Sequence, residues 1–208
     1  MVITIGGKYG SGGKVVAAKA AELLGYRLCS DDIILEAVKN SEFDMAEETF
    51  RYFDESAGQA ALSELARLSS AQRSSFIQTL EDVVPLGQAM TEIQETVLNR
   101  LADQHDCILL GRCANHFLAG RQDVLSVFVL DDDKNCIARI MERYPELTLR
   151  EAEKLIKKTN KRRQDYYSFF AGKDWGDVAN YAMVLNCALL GGAERAAGFL
   201  AGAVRAME

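Results

Sequence analysis

The chain opens with a short β-branched run, Val2-Ile3-Thr4-Ile5. It breaks into Gly6-Gly7-Lys8-Tyr9-Gly10-Ser11-Gly12-Gly13-Lys14 and resumes with the helix-forming Val15-Val16-Ala17-Ala18-Lys19-Ala20-Ala21. Strand, glycine turn and helix in this order leave few folds open. Five glycines within residues 6–13 let the backbone wrap closely and turn successive N–H groups toward an anion. The helix that follows adds the positive end of its dipole, so the turn suits a polyphosphate before any side chain is considered. The spacing approaches the phosphate-loop pattern G-x-x-x-x-G-K-[ST]. Gly7 and Gly12 keep its register, but Gly13 stands in the lysine slot and Lys14 in the hydroxyl slot.

Further along, apolar runs alternate with helical periodicity. Tyr26–Cys29 reads as a short second strand, and Ser30-Asp31-Asp32 as cap chemistry for a helix through Ile33, Ile34 and Val38. Residues 44–73 are polar and alanine-rich at helical spacing, and the serines at 69–70 and 74–75 suggest a mobile connection. Pro85-Leu86-Gly87 precedes a helix carrying Ala89, Ile93, Val97 and Leu101 every four residues. Cys107–Leu110 and Val124–Leu130 are continuous apolar runs of the kind found in buried parallel strands. A helix follows Asp131-Asp132-Asp133 and stops at Tyr144-Pro145; Thr148-Leu149-Arg150-Glu151 is a capping box opening a long basic helix through Tyr167. Tyr181–Leu185 reads as the last strand and Glu194–Val204 as the last helix. The alternation predicts a parallel sheet covered on both faces.

At 208 residues the chain suits one α/β domain with room for an inserted lobe. A net charge of −6 argues against a general nucleic-acid surface, so any basic site must be local. Cys29, Cys107, Cys113, Cys136 and Cys187 are odd in number and scattered, which reads as free thiols in a reducing compartment. His105 and His116 lack partners at metal-ligand spacing. The amino terminus lacks a signal-peptide architecture, and no segment approaches the roughly 20 apolar residues needed to span a bilayer. The expectation is a cytoplasmic protein with no membrane or nucleic-acid partner and an oligomeric state left open.

Several stretches together are similar to the cytidylate kinase-like family of P-loop nucleoside monophosphate kinases. They are Tyr9–Gly13, Gly111-Arg112-Cys113-Ala114, Arg139–Tyr144, Lys161-Arg162-Arg163, Tyr166-Tyr167 and Gly172-Lys173-Asp174-Trp175-Gly176-Asp177. The resemblance spans most of the chain in order and is weak between about 44 and 88. It implies a P-loop kinase fold: a parallel five-stranded sheet flanked by helices, in one domain over 1–208. A helical acceptor-binding lobe is expected over about 31–104 and a lid over about 139–177. It also implies ATP and Mg²⁺ as cofactors and a nucleoside monophosphate, CMP or dCMP preferred, as phosphate acceptor. The family shares the shifted lysine, with a basic residue near Lys14.

On this reading Gly7, Lys8, Gly10, Ser11, Gly12, Gly13 and Lys14 hold the donor phosphates. Arg112, directly after a buried strand at the edge where α/β proteins place ligands, clamps the acceptor phosphate with its planar donor fork. Arg139, Arg143, Arg162 and Arg163 are lid residues closing on the phosphates; Lys14, Arg112, Arg139 and Arg163 carry the catalytic role. Arg143 and Arg162, with Asp31 and Arg112, also contact the acceptor. Cys113 stands where cytidylate kinases have an aspartate that helps recognise the nucleoside, a departure that bears on cytosine specificity.

Plainer readings stand beside these. Lys154 and Lys157 suit a solvated helix face, and Asp31 or Asp32 suits an N-cap. Asp131 resembles a Walker-B carboxylate holding magnesium through water, but three aspartates before a helix also cap it, and capping is preferred; no metal ligand is directly assignable. Trp175 either packs its loop or stacks on a base. Two other functions keep the same fold: a nucleotide-binding sensor with little turnover, and a kinase with a non-nucleotide small-molecule acceptor.

Overall fold

The computed structural model describes residues 1–30 and 91–207. Asp31, Asp32 and the expected acceptor lobe as far as residue 90 lie outside the described residues. Five strands form one parallel sheet: β1 (Val2–Gly7), β2 (Arg27–Cys29), β3 (Cys107–Leu110), β4 (Val124–Leu130) and β5 (Met183–Asn186), in the order β2-β3-β1-β4-β5. β1 therefore sits centrally, with Ile5 in register with Leu110 on one side and Val127 on the other.

Strand alternation splits the core into two layers. Ile3, Ile5, Ile108, Val127 and Val129 face α1 (Gly13–Leu24) and the last helix, α6 (Ala193–Met207). Both helices line this layer with alanines, Ala17 and Ala20 on one and Ala196 and Ala197 on the other, which lets them pack closely together. Val2, Cys107 and Leu109 face the opposite layer, covered by α2, helical over 91–104, through Ile93, Val97, Leu98 and Leu101. The four-residue spacing expected there is the buried face. The short α3 (Ala114–Phe117) and the aromatic end of α5 (Leu149–Ala171) complete that layer.

A third, smaller cluster joins α4 (Asp133–Arg143) to α5 through Cys136, Ile140, Ala152 and Ile156, with Tyr9 packed against it. α5 starts at the expected capping box: the Thr148 hydroxyl accepts from Glu151 N–H, and Thr148 N–H donates to the Glu151 carboxylate at 2.9 Å. It runs to Ala171, past the expected end at Tyr167, because Tyr166 and Tyr167 are buried in the core and only Gly172, with φ 62°, turns the chain. The last strand starts at Met183 instead of Tyr181, since Val178–Asn180 forms a 3₁₀ turn whose last bond is donated by Tyr181 N–H. All five cysteines are free and buried. Among the described residues no helix is long and apolar enough to cross a membrane.

Candidate functional site

The glycine turn joins β1 to α1 at the carboxyl ends of the strands, where the sheet's two halves diverge from β1. Its hydrogen bonds satisfy only part of the turn. Lys8 N–H donates to Val129 O, Ser11 N–H to Lys8 O, and Tyr9 N–H to Asn160 Oδ1 at 2.8 Å. Among the described residues the N–H groups of Gly10, Gly12 and Gly13 find no acceptor. Orphan donors at a helix start are a ready anion site.

Close packing enforces this shape. Gly10 has φ 84°, and a Cβ there would stand 2.8 Å from Cys136 O, so the turn passes α4 with no room for a side chain. Gly13 is different: a Cβ would meet nothing nearer than Ser11 Oγ and Val129 Cβ, both at 3.9 Å. Space alone therefore does not exclude a lysine from that slot.

Two arginines reach the turn from the far part of the chain. Arg139 Nη1, on α4, donates to Gly10 O at 2.8 Å. Arg163 Nη1, on α5, donates to Gly7 O at 2.6 Å, and its guanidinium lies over the Tyr9 ring at 5.5 Å. Each guanidinium carries five N–H donors, so one contact to the loop leaves others on the fork for a phosphate. Asn160, one turn before Arg163 on α5, accepts from the same loop. No motif marked it; only the i, i+3 spacing, which places the two residues on one helix face, could have drawn attention to it.

Asp131 corrects an expectation. It does not cap α4: Asp132 takes the N-cap position, with no side-chain capping bond. The Asp131 side chain is fully buried and pairs with Arg139 Nη1 at 2.6 Å, while its other oxygen accepts from Asp132 N–H and Asn135 Nδ2. It is thus a strut behind Arg139. Burial pushes its carboxyl pKa up, but the hydrogen bonds from Asn135, Arg139 and Asp132 N–H, with the Arg139 charge, bring it below the ordinary 3.8. A depressed folded-state pKa stabilises the fold above the unfolded value, and that contribution is lost as pH falls through the folded one. Urea midpoints followed from about pH 6 to about pH 3 should therefore fall more steeply for the native chain than for Asp131→Asn. Equal slopes would remove the strut role.

On the other side of β1, β3 ends in Gly111, Arg112 and Cys113, with φ of 78°, 56° and 53°. Two consecutive non-glycine residues in the left-handed region are strained, by about 1–3 kcal/mol each. The turn is held by Gly111 N–H to Ile5 O and by His116 and Phe117 N–H to Cys113 O. It brings Arg112, only 3% exposed, to the strand ends.

The glycine turn and the arginines meet in one cavity of about 260 Å³. Gly7, Lys8, Gly10, Ser11, Gly12, Gly13 and Lys14 line it, and so do Arg112, Cys113, Arg139, Arg143 and Arg163. Arg162 is not among the lining residues, a correction to the expectation that all four lid arginines converge. On α5 it stands about 100° round the axis from Arg163, whose guanidinium bonds Gly7 O. Lys154, Lys157 and Lys158 are solvated.

The Gly172–Asp177 loop is tied by Asn180 Nδ2 to Asp174 O at 2.7 Å and by Ser168 Oγ to Lys173 O at 3.1 Å. It sets Trp175 edge-on to Phe128, centroids 5.2 Å apart, at the cavity wall. Among the described residues no three His, Cys, Asp or Glu side chains gather as a metal site.

A five-stranded parallel sheet carrying a glycine loop ahead of α1 is the P-loop kinase fold, and solved structures agree. A protein from Eubacterium ventriosum, described as uncharacterized, superposes with a TM-score of 0.71 at 21% identity, covering 99% of this chain and 98% of its own. The shikimate kinase from Bacteroides thetaiotaomicron reaches 0.53 at 11% identity, covering 99% and 98%. TT1252 from Thermus thermophilus reaches 0.51 at 19%, covering 100% and 97%. The chain belongs to the cytidylate kinase-like family, whose model matches residues 2–188. No curated protein matches it significantly.

Proposed function

We propose that the protein transfers the γ-phosphoryl group of ATP to a nucleoside monophosphate, with CMP or dCMP preferred. The observation that carries this reading is the convergence of orphan loop N–H groups and four arginines, Arg112, Arg139, Arg143 and Arg163, on one cavity. A passive nucleotide binder needs the loop but not the arginines.

The donor phosphates rest on the N–H groups of Gly10, Gly12 and Gly13, with Lys14 and Lys8 adding charge from the two ends of the turn. Ser11 completes the turn through its backbone. Magnesium enters with ATP as part of the substrate: the Asp131 oxygens are already engaged by Arg139, Asn135 and Asp132 N–H. Arg112 grips the acceptor phosphate, and Arg139, Arg143 and Arg163 neutralise charge on the transferring group. Positioning and electrostatics supply most of the catalysis in such transfers, and no covalent intermediate is needed. Residues of about 31–104 form the acceptor lobe and about 139–177 the lid, whose closure excludes water and suppresses hydrolysis. The odd set of free thiols fits a reducing, cytoplasmic setting.

Coupled ADP release with ATP–Mg²⁺ across CMP, dCMP, UMP, AMP and GMP tests the proposal. Strong stimulation by CMP or dCMP is expected. Intact ATP binding with no stimulation by any nucleotide would overturn it in favour of a sensor. Stimulation only by a sugar or another metabolite would overturn it in favour of a small-molecule kinase.

A further inference from the structure

Asn115, Tyr167, Tyr181 and Trp175 share the cavity wall beside the Arg112 turn. Two of them, Tyr181 and Asn115, donate to backbone carbonyls. Tyr181 Oη donates to Trp175 O at 2.8 Å, and a carbonyl can only accept, so the single Tyr181 proton is committed. Burial raises the Tyr181 pKa above its ordinary value and keeps that proton in place. Tyr167 accepts from Asn115 Nδ2 at 2.9 Å. The same Nδ2 faces Asn180 O at 3.4 Å, a second pure acceptor, which settles the amide orientation.

The donation from Asn115 Nδ2 thus runs to Tyr167 Oη and toward Asn180 O. It leaves Asn115 Oδ1 as a hydrogen-bond acceptor with no donor among the described residues. Asn115 is half-buried, so Oδ1 is open to a ligand in the cavity. The amide cannot turn round to suit a different ligand. A flip would set Oδ1 against Asn180 O and break the bond to Tyr167.

We infer that Asn115 is a specificity-determining residue: its Oδ1 reads an amino group on the acceptor base and so selects cytosine over uracil, which carries an oxo group there. The inference rests on the reading of this cavity as a nucleoside monophosphate site. An amino group meets the fixed acceptor with an N–H. An oxo group sets two acceptors face to face and leaves both without a partner, a mismatch that costs far more than a missing methylene. The planar rings of Tyr167 and Trp175 bound the same space. Cys113, in the place where the family resemblance led one to look for an aspartate, need not carry this recognition.

The test uses the full chain and two probes differing at this one substituent, CMP and UMP, measured by equilibrium binding and by ADP release. The native protein should bind CMP at least about tenfold more tightly than UMP. Asn115→Ala should reduce that ratio to about twofold or less while retaining ATP binding. Tyr167→Phe keeps the ring but removes the hydroxyl that receives Asn115 Nδ2. It should relax the ratio part of the way, and it keeps the inference testable if Asn115→Ala fails to fold. Equal binding of CMP and UMP by the native protein, or a ratio unchanged in both variants, would overturn the inference. ADP release stimulated equally by both nucleotides would overturn it while leaving the kinase reading intact. Selective CMP binding lost in Asn115→Ala, but without ADP release, would support the inference and sink the kinase reading.

Discussion

Arg112→Ala is expected to lower kcat/KM for the acceptor by about 100-fold or more while leaving ATP affinity within about threefold. The guanidinium is buried at the end of β3, where water screens little, and hydrogen bonds to charged groups contribute about 1.5–3 kcal/mol each. Two such bonds to a phosphate, at 1.36 kcal/mol per factor of ten, give the stated loss. Arg112→Lys keeps the charge but loses the planar fork, and should fall between the two. The backbone strain at φ 56° is present in all three proteins, so it does not confuse the comparison. Steady-state kinetics with varied acceptor, beside an ATP titration, decides the matter. Equal losses in acceptor use and ATP binding would take Arg112 out of the acceptor clamp.

Gly10→Ala should damage both the fold and the phosphate turn. The new Cβ would face Cys136 O at 2.8 Å and Cys136 Cβ at 3.0 Å, from a residue held at φ 84°. Left-handed strain and overpacking each cost about 1–3 kcal/mol. Neither the turn nor α4 can yield freely, because Arg139 bonds Gly10 O and is itself held by buried Asp131. A loss of about 2–4 kcal/mol in unfolding free energy is expected, with ATP binding weakened about 100-fold as the orphan N–H groups lose their common aim. Gly13→Ala is the control: its Cβ meets only ordinary contacts, and stability should shift by less than about 1 kcal/mol. Urea unfolding and nucleotide titration of both variants provide the check. If the two behave alike, the close passage at Gly10 is not what shapes the loop.

Both expectations concern features that differ in how visible they are in the sequence. The glycine turn is local: five glycines between a β-branched run and an alanine-rich helix are legible without any tertiary contact. That Gly10 is indispensable and Gly13 permissive is not local, since it depends on Cys136 and Val129 arriving alongside. The arginines divide the same way. Arg139 and Arg143, four apart, had to share a helix face, and both line the cavity. Of adjacent Arg162 and Arg163, which one reaches the loop was decided by the packing of α5 on α4. Asp131 sat in a run of three aspartates that reads as a cap. Its pairing with Arg139 follows only once α4 has folded back over the strand end.

What the sequence determined by itself was the succession of strands and helices, the capping box at Thr148 and the phosphate turn. These rest on short-range physics: alternation on a pleat, periodicity on a helix, and the backbone freedom of glycine. What only the tertiary structure decided was which side chains meet the turn. Asn160 reaches Tyr9 across 151 residues, and Arg163 reaches Gly7 across 156. Those contacts carry no local signature, because they are set by how α4 and α5 bury Cys136, Ile140, Ala152 and Ile156 against one another beside the loop.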